Sequence, residues 1–247
     1  MSIRFGSRVF APGLAGTLAT LALLPCLIGL GLWQLARADE KRQLLDRYAA
    51  GESRTLEAHS ADAIDALPRY QRVRVHGRYE PDRQVLLDNM PSQAGRPGYH
   101  IVTPFALAGG GRLLVNRGWV PLGATREILP DTTVGAGPRT LTGRLDGLPR
   151  PGLRLGEPPV PAEIVWPAVL NYPTHEQLAR LYGPGLARSL LLLDADAEDG
   201  YERAWQSRFG IGPAGHVGYA VQWFALAAAV LAIYVAVNLR RAPLAKS

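Results

Sequence analysis

The pattern of apolar and polar positions divides the chain into two uninterrupted apolar runs and a long segment of ordinary mixed texture between them. Val9 to Leu35 carries no charged side chain, and Val217 to Leu239 carries none before Arg240-Arg241. A run of about 20 apolar residues spans a bilayer as a helix, so both runs read as transmembrane helices. Basic start, apolar core and Ala36-Arg37-Ala38 also suit a signal peptide. The first run is far longer than the roughly 7–15 residues of a signal core, and an uncleaved span, bent at Pro25, is the reading.

Beyond Trp33 the sequence to Ala50 is rich in helix formers and predicts that the first helix continues past the membrane, with Leu35, Leu44, Leu45 and Tyr48 as packing residues. From Pro68 the period changes. Val73 and Val75 alternate with Arg72, Arg74 and His76, the signature of a half-buried strand over Tyr70 to Arg78. Further strands are predicted over 84–88, 99–107, 112–120, 139–146, 163–170 and 189–194. A hairpin turn is expected at Gly109-Gly110-Gly111. Thr174 to Tyr182 reads as a short helix, with Thr174 as N-cap and Gln177 completing a capping box. Leu148 to Pro161 is Pro-rich and reads as a loop. Short strands at this spacing predict an α+β, mainly antiparallel β domain, a small barrel or sheet, between two transmembrane helices. The expected divisions are a tail at 1–8, a first span at 9–36, an outer domain at 37–215, a second span at 216–239 and a tail at 240–247.

Charge changes the picture in one respect. The net charge is +6, yet the twenty-one basic and twenty-one acidic side chains between Asp39 and Arg208 cancel. The excess is Arg4, Arg8, Arg37, Arg240, Arg241 and Lys246, all flanking the apolar runs. The basic balance therefore reports a lipid bilayer and lends no support to a nucleic-acid partner. Positive-inside logic places both termini in the cytoplasm and the middle domain outside.

Familiar chemistry is sparse. His175-Glu176 begins a zinc-protease motif, but Ala179 stands where the second histidine belongs. Gly210, Gly212 and Gly215 match a dinucleotide fingerprint, but Pro213 interrupts it and a membrane span follows. No Gly-x-Ser-x-Gly elbow is present, and the acidic cluster of Asp194, Asp196, Glu198 and Asp199 lacks calcium-loop spacing and reads as a solvated loop. Cys26, the single cysteine, excludes an internal disulfide. Among histidines, 59, 76, 100 and 175 do not stand out.

What remains sits at the outer membrane boundary. Trp33 and Gln34 end the first run; His216, Tyr219, Gln222 and Trp223 begin the second. His216, Tyr219 and Trp223 share one helical face. Aromatic belts line most membrane interfaces, and a histidine there can simply meet water. Alternatively, a neutral imidazole offers a nitrogen to haem iron, with Arg37 outside to meet propionates.

Three blocks resemble the surfeit-locus family of cytochrome c oxidase biogenesis proteins: Leu30-Gly31-Leu32-Trp33-Gln34-Leu35-x-Arg37; Asp88-Asn89 through Gly98-Tyr99 and Thr103-Pro104 to Val115-Asn116-Arg117-Gly118-Trp119-Val120-Pro121; and His216-x-x-Tyr219-Ala220-x-Gln222-Trp223-Phe224. The resemblance implies a non-enzymatic assembly factor in a bacterial inner membrane. It would help to insert haem a into oxidase subunit I, with haem a synthase as a further partner and His216 as the ligand to haem iron. Tyr219, Trp223, Trp33, Gln34 and Arg37 would complete the cofactor site. Where the family frequently has Asn before this histidine, Gly215 stands here, removing a helix cap or a hydrogen bond to the ring. For Asn116 to Pro121 two readings stand: a strand end and sharp turn with Trp119 as core, or a partner-binding surface using Arg117 and Trp119. The competing function is a haem-independent scaffold that stabilises an oxidase assembly intermediate through the outer domain.

Overall fold

The computed structural model describes residues 3–5, 8–92, 94–151, 164–203, 205 and 210–241. The strand start at Glu163, most of the Pro-rich loop and Lys246 lie outside these residues. In chain order the elements are β1 (Ile3–Phe5), β2 (Arg8–Phe10), α1 (Leu14–Glu52), β3 (Thr55–Glu57), α2 (Ala61–Asp65), β4 (Arg72–Tyr79), β5 (Val85–Leu87), β6 (Gly98–Leu107) and β7 (Arg112–Pro121). They continue as β8 (Pro138–Asp146), β9 (Ala168–Leu170), α3 (His175–Tyr182), β10 (Leu186–Leu193), α4 (Pro213–Asn238) and β11 (Leu239–Arg241). These fall into two compact units, one of Met1–Leu45 with Arg208–Ser247 and one of Asp46–Ser207.

The first unit is built on α1 and α4. Both are long and apolar enough to cross a membrane, and only 11% of the most apolar window of each is buried. That exposure is the opposite of a soluble core helix, whose apolar residues are covered by protein. The first helix begins at Leu14 and not at Val9, because Pro12 holds the preceding residue extended. Arg8–Phe10 instead pairs antiparallel with both Ile3–Phe5 and Leu239–Arg241. At this end of the pair, Asn238 Oδ1 accepts the Gly13 N–H (3.2 Å), and Thr17 Oγ1 lies 2.9 Å from Tyr234 Oη. Leu35 and Leu45 do not supply the packing expected of them; both side chains are exposed.

In the second unit, eight strands hydrogen-bond in the order β3-β4-β8-β10-β7-β6-β5-β9, and β4 pairs with β6 as well. The extra pairing closes β4, β8, β10, β7 and β6 into a ring. Val73, Val75, Phe105, Leu113, Val115, Leu141, Leu145, Leu191 and Leu193 fill its interior, every second residue of each strand. Each fully buried Val or Leu contributes roughly 1.5–3 kcal/mol. A second apolar cluster on the outside, including Leu114, Leu190 and Val102, packs under α3 through Leu178 and Tyr182.

The mainly antiparallel expectation needs correction: the sheet is mixed. β10 runs parallel to β7, β3 to β4, and β5 to β9, while the other pairs are antiparallel. Turn spacing identifies hairpins but is blind to a strand that returns after an excursion, which is how β10 comes to lie between β7 and β8. The strand expected over 163–170 is confined to Ala168–Leu170. No sequence signal marked β3 or α2, whose Ser60 cap accepts the Ala63 N–H.

Several local expectations hold. Gly110 and Gly111 take positive φ (+103° and +80°) in the β6–β7 turn. Thr174 and Gln177 form both hydrogen bonds of the capping box (3.2 and 2.9 Å). The end of α1 is fastened to the domain: Arg144 pairs with Glu52 (2.5 Å) and lies 4.2 Å from the Tyr48 ring centre.

Candidate functional site

Pro213 starts α4, with Gly212 as an N-cap that offers no side chain. His216 therefore sits inside the first turn, and Gly215 is a helix-interior position. An asparagine at 215 would not be the cap. The ring is oriented from the other helix: His216 Nδ1 lies 2.7 Å from Gln34 Oε1. An amide oxygen accepts only, so Nδ1 is the donor in this contact, and Nε2 has no hydrogen-bond partner among the described residues. One turn further in, Gly31 of α1 faces Phe224 of α4. A Cβ on Gly31 would fall 2.5 Å from the Phe224 ring, so glycine is what lets the two helices approach here. Ala220 and Ala227 are also buried. Small residues at such a contact are how apolar helices pack in lipid, where hydrophobicity supplies no drive for association.

Trp33 (53% exposed) and Tyr219 (44%) face outward, and Trp223 is half-buried. Arg37 lies 6.0 Å from the Trp33 ring centre and pairs with Glu40 at 2.5 Å. His216 and Gln34 are thus in contact, and Trp33 and Arg37 lie against each other. Among the described residues, no hydrogen bond or ring contact joins Tyr219 or Trp223 to His216. The site is an imidazole held through Nδ1, with apolar and aromatic helix faces around it and a guanidinium one helical turn along from Gln34. That donor set fits haem: a nitrogen for iron and apolar surface for a macrocycle.

Arg117 and Trp119 are both buried. Both side chains lie inside the second unit, 3% and 4% exposed. Arg117 donates to the carbonyls of Asp199 (2.7 Å) and Thr132 (3.0 Å) and to Gln84 Oε1 (3.1 Å). Its guanidinium is flanked by the rings of Tyr79 and Tyr201, at 5.6 and 5.0 Å. Trp119 Nε1 donates to Met90 O at 2.7 Å. β7 runs through Gly118 and ends at Pro121, where the strand end was expected. Gly118 has φ +117°, and a Cβ there would lie 2.9 Å from Glu202 O, so glycine is what permits this close approach. Burial makes both side chains supports that tie β7 to neighbouring loops. Neither is presented on the domain surface.

Other candidates resolve quietly. Among the described residues, no group of three or more His, Cys, Asp or Glu side chains is placed to hold a metal. His175 Nε2 is 3.3 Å from Leu186 O. In the acidic cluster Asp194 pairs with Arg72 (2.5 Å) and Asp199 with Arg139 (3.0 Å), so part of it is ion-paired rather than merely solvated. The residue that sequence reasoning passed over is His100. It is largely buried against Asn116 and Trp205, and burial holds its pKa below the ordinary imidazole value despite the Asn116 hydrogen bond. Its place on a strand gave no signal, because its neighbour Trp205 is over a hundred residues away.

Comparison with known proteins matches residues 21–228 to the SURF1 family. A SURF1-like protein of Rickettsia felis is 35% identical over 103 residues, covering 41% of this chain and 45% of that protein. One from Monosiga brevicollis is 27% identical over 239 residues, covering 88% and 85%. Surfeit locus protein 1 of Takifugu rubripes is 30% identical over 131 residues, covering 45% and 52%. The matches to the Rickettsia and Takifugu proteins span only about half of their length or less. The family match takes in both the His216–Gln34 contact and the strands around Arg117, and on it this chain belongs to the SURF1 family.

Proposed function

We propose that the protein is a membrane-anchored assembly factor for cytochrome c oxidase that holds haem a at the outer face of a bacterial inner membrane and assists its insertion into oxidase subunit I. The observation that carries this reading is the His216 Nδ1–Gln34 Oε1 hydrogen bond, which engages Nδ1 and leaves Nε2 without a partner among the described residues. Metal-bound histidines are characteristically held in this way by an acceptor on the other nitrogen. Bound haem would supply an iron that accepts a nitrogen ligand. His216 would provide that nitrogen, Gln34 would orient the imidazole, and Trp33, Tyr219 and Trp223 would cover apolar ring surface. Arg37, on the same turn as Trp33, would meet a propionate in exchange for Glu40.

Such a protein is a carrier and not an enzyme; its affinity must be modest enough to release the cargo. Both termini lie in the cytoplasm on the positive-inside argument, and haem a synthase is the natural source of the ligand. The test is the haem a content of protein purified from cells co-producing haem a synthase. His216→Ala should remove the haem spectrum while the protein still accumulates in the membrane. The alternative, a haem-independent scaffold, was to work through Arg117 and Trp119, whose burial weakens it. Normal oxidase maturation with His216→Ala would favour the scaffold.

A further inference from the structure

The outer face of the strand ring carries a row of neighbours. Asn116 on β7 is opposite Leu192 on β10, Leu192 is opposite Arg144 on β8, and a bulge in β7 brings Asn116 beside His100. Bulges redirect side chains in this way. Trp205 is pinned over the row. Its Nε1 donates to Leu193 O (2.6 Å), its carbonyl accepts from Arg144 Nη2 (3.3 Å), and its ring stacks on His100 at 5.7 Å. Beside it opens a cavity of about 330 Å³, lined also by Arg69, Asp146, Leu148 and Arg150.

The polar groups in this cavity are set for an anion. Asn116 Oδ1 accepts the Gly118 N–H (3.1 Å), and His100 Nδ1 lies 3.2 Å from the same oxygen, which leaves Nε2 without a protein partner among the described residues. Asp146 is neutralised by Arg69 at 2.6 Å. Arg150 is exposed and has no acidic partner among the described residues, so the cavity keeps one surplus positive charge. The remaining walls are Leu and Pro side chains. The volume is at the low end of ligand pockets, suited to a single ring and too small for a macrocycle.

We propose that the cavity between His100, Trp205 and Arg150 is a binding site for a small organic carboxylate, its apolar body against Leu148 and Leu192 and its carboxylate on Arg150. The site is independent of the haem reading. A guanidinium grips a carboxylate through two parallel hydrogen bonds, and His100 lines the same cavity.

The test is a benzoate titration of the full chain in lipid nanodiscs, with ¹⁵N-labelled histidine. The His100 imidazole signals are assigned by their loss in His100→Gln. Benzoate should shift them saturably, benzyl alcohol should not, and the surface variant Arg150→Ala should weaken benzoate about tenfold or more. No saturable shift, equal potency of benzyl alcohol, or an unchanged affinity in Arg150→Ala would each overturn the proposal.

Discussion

His216 Nδ1 and Gln34 Oε1 meet at 2.7 Å, linking the first turn of one apolar helix to the residue after Trp33 on the other. The contact orients the imidazole through Nδ1, and it makes Gln34 the test of that support. Gln34→Leu removes the acceptor and should lower haem occupancy by about 10–100-fold, the usual cost of losing such support. Gln34→Glu keeps an acceptor and should retain the spectrum. The haem-to-protein ratio of the purified variants measures both, and equal occupancy in Gln34→Leu and the parent would refute the role.

Gly31 tests the helix contact itself. A Cβ at this position falls 2.5 Å from the Phe224 ring, so Gly31→Val forces the helices apart at the turn adjoining Gln34. The variant should still insert in the membrane but lose most bound haem. Haem content corrected for membrane-inserted protein is the readout.

Arg117 is expected to act on stability. Arg117→Met strips several buried acceptors of their charged donor and should destabilise the outer domain by at least about 3 kcal/mol. Arg117→Lys should not restore it, because a point charge cannot reach acceptors spread around a planar fork. Denaturant midpoints of the detergent-solubilised protein check this. A wild-type midpoint together with lost oxidase maturation would instead mark Arg117 as a partner contact.

His100 predicts a pH dependence. Burial lowers its pKa from the ordinary 6.5, so the unfolded chain takes up a proton at higher pH than the folded one. Its contribution is fully present above about pH 6.5 and is lost as pH falls toward the folded pKa. The stability difference between the parent and His100→Gln should therefore shrink on acidification through that window. A difference independent of pH would show that His100 titrates alike in both states.

The sequence alone determined whatever depends on neighbours along the chain. Two charge-free apolar runs specify membrane-length helices, alternation at Val73 and Val75 specifies which face of β4 is buried, and Thr174 with Gln177 specifies a helix start. The family blocks pointed to His216 and Gln34 as neighbours in function. Only the tertiary structure decided what depends on residues far apart. It made the sheet mixed, because β10 inserts between β7 and β8 after a long excursion. It placed Arg117 and Trp119 in the interior, where the sequence left two readings open, since a guanidinium can be buried once carbonyls and a side-chain amide from distant loops surround it. It showed that the His216 ring is held by Gln34 across the helix pair and not by a cap at position 215. And it set Trp205 on His100, a pairing no local pattern could announce, because side-chain chemistry in a cavity is fixed by packing between elements and not by spacing within one.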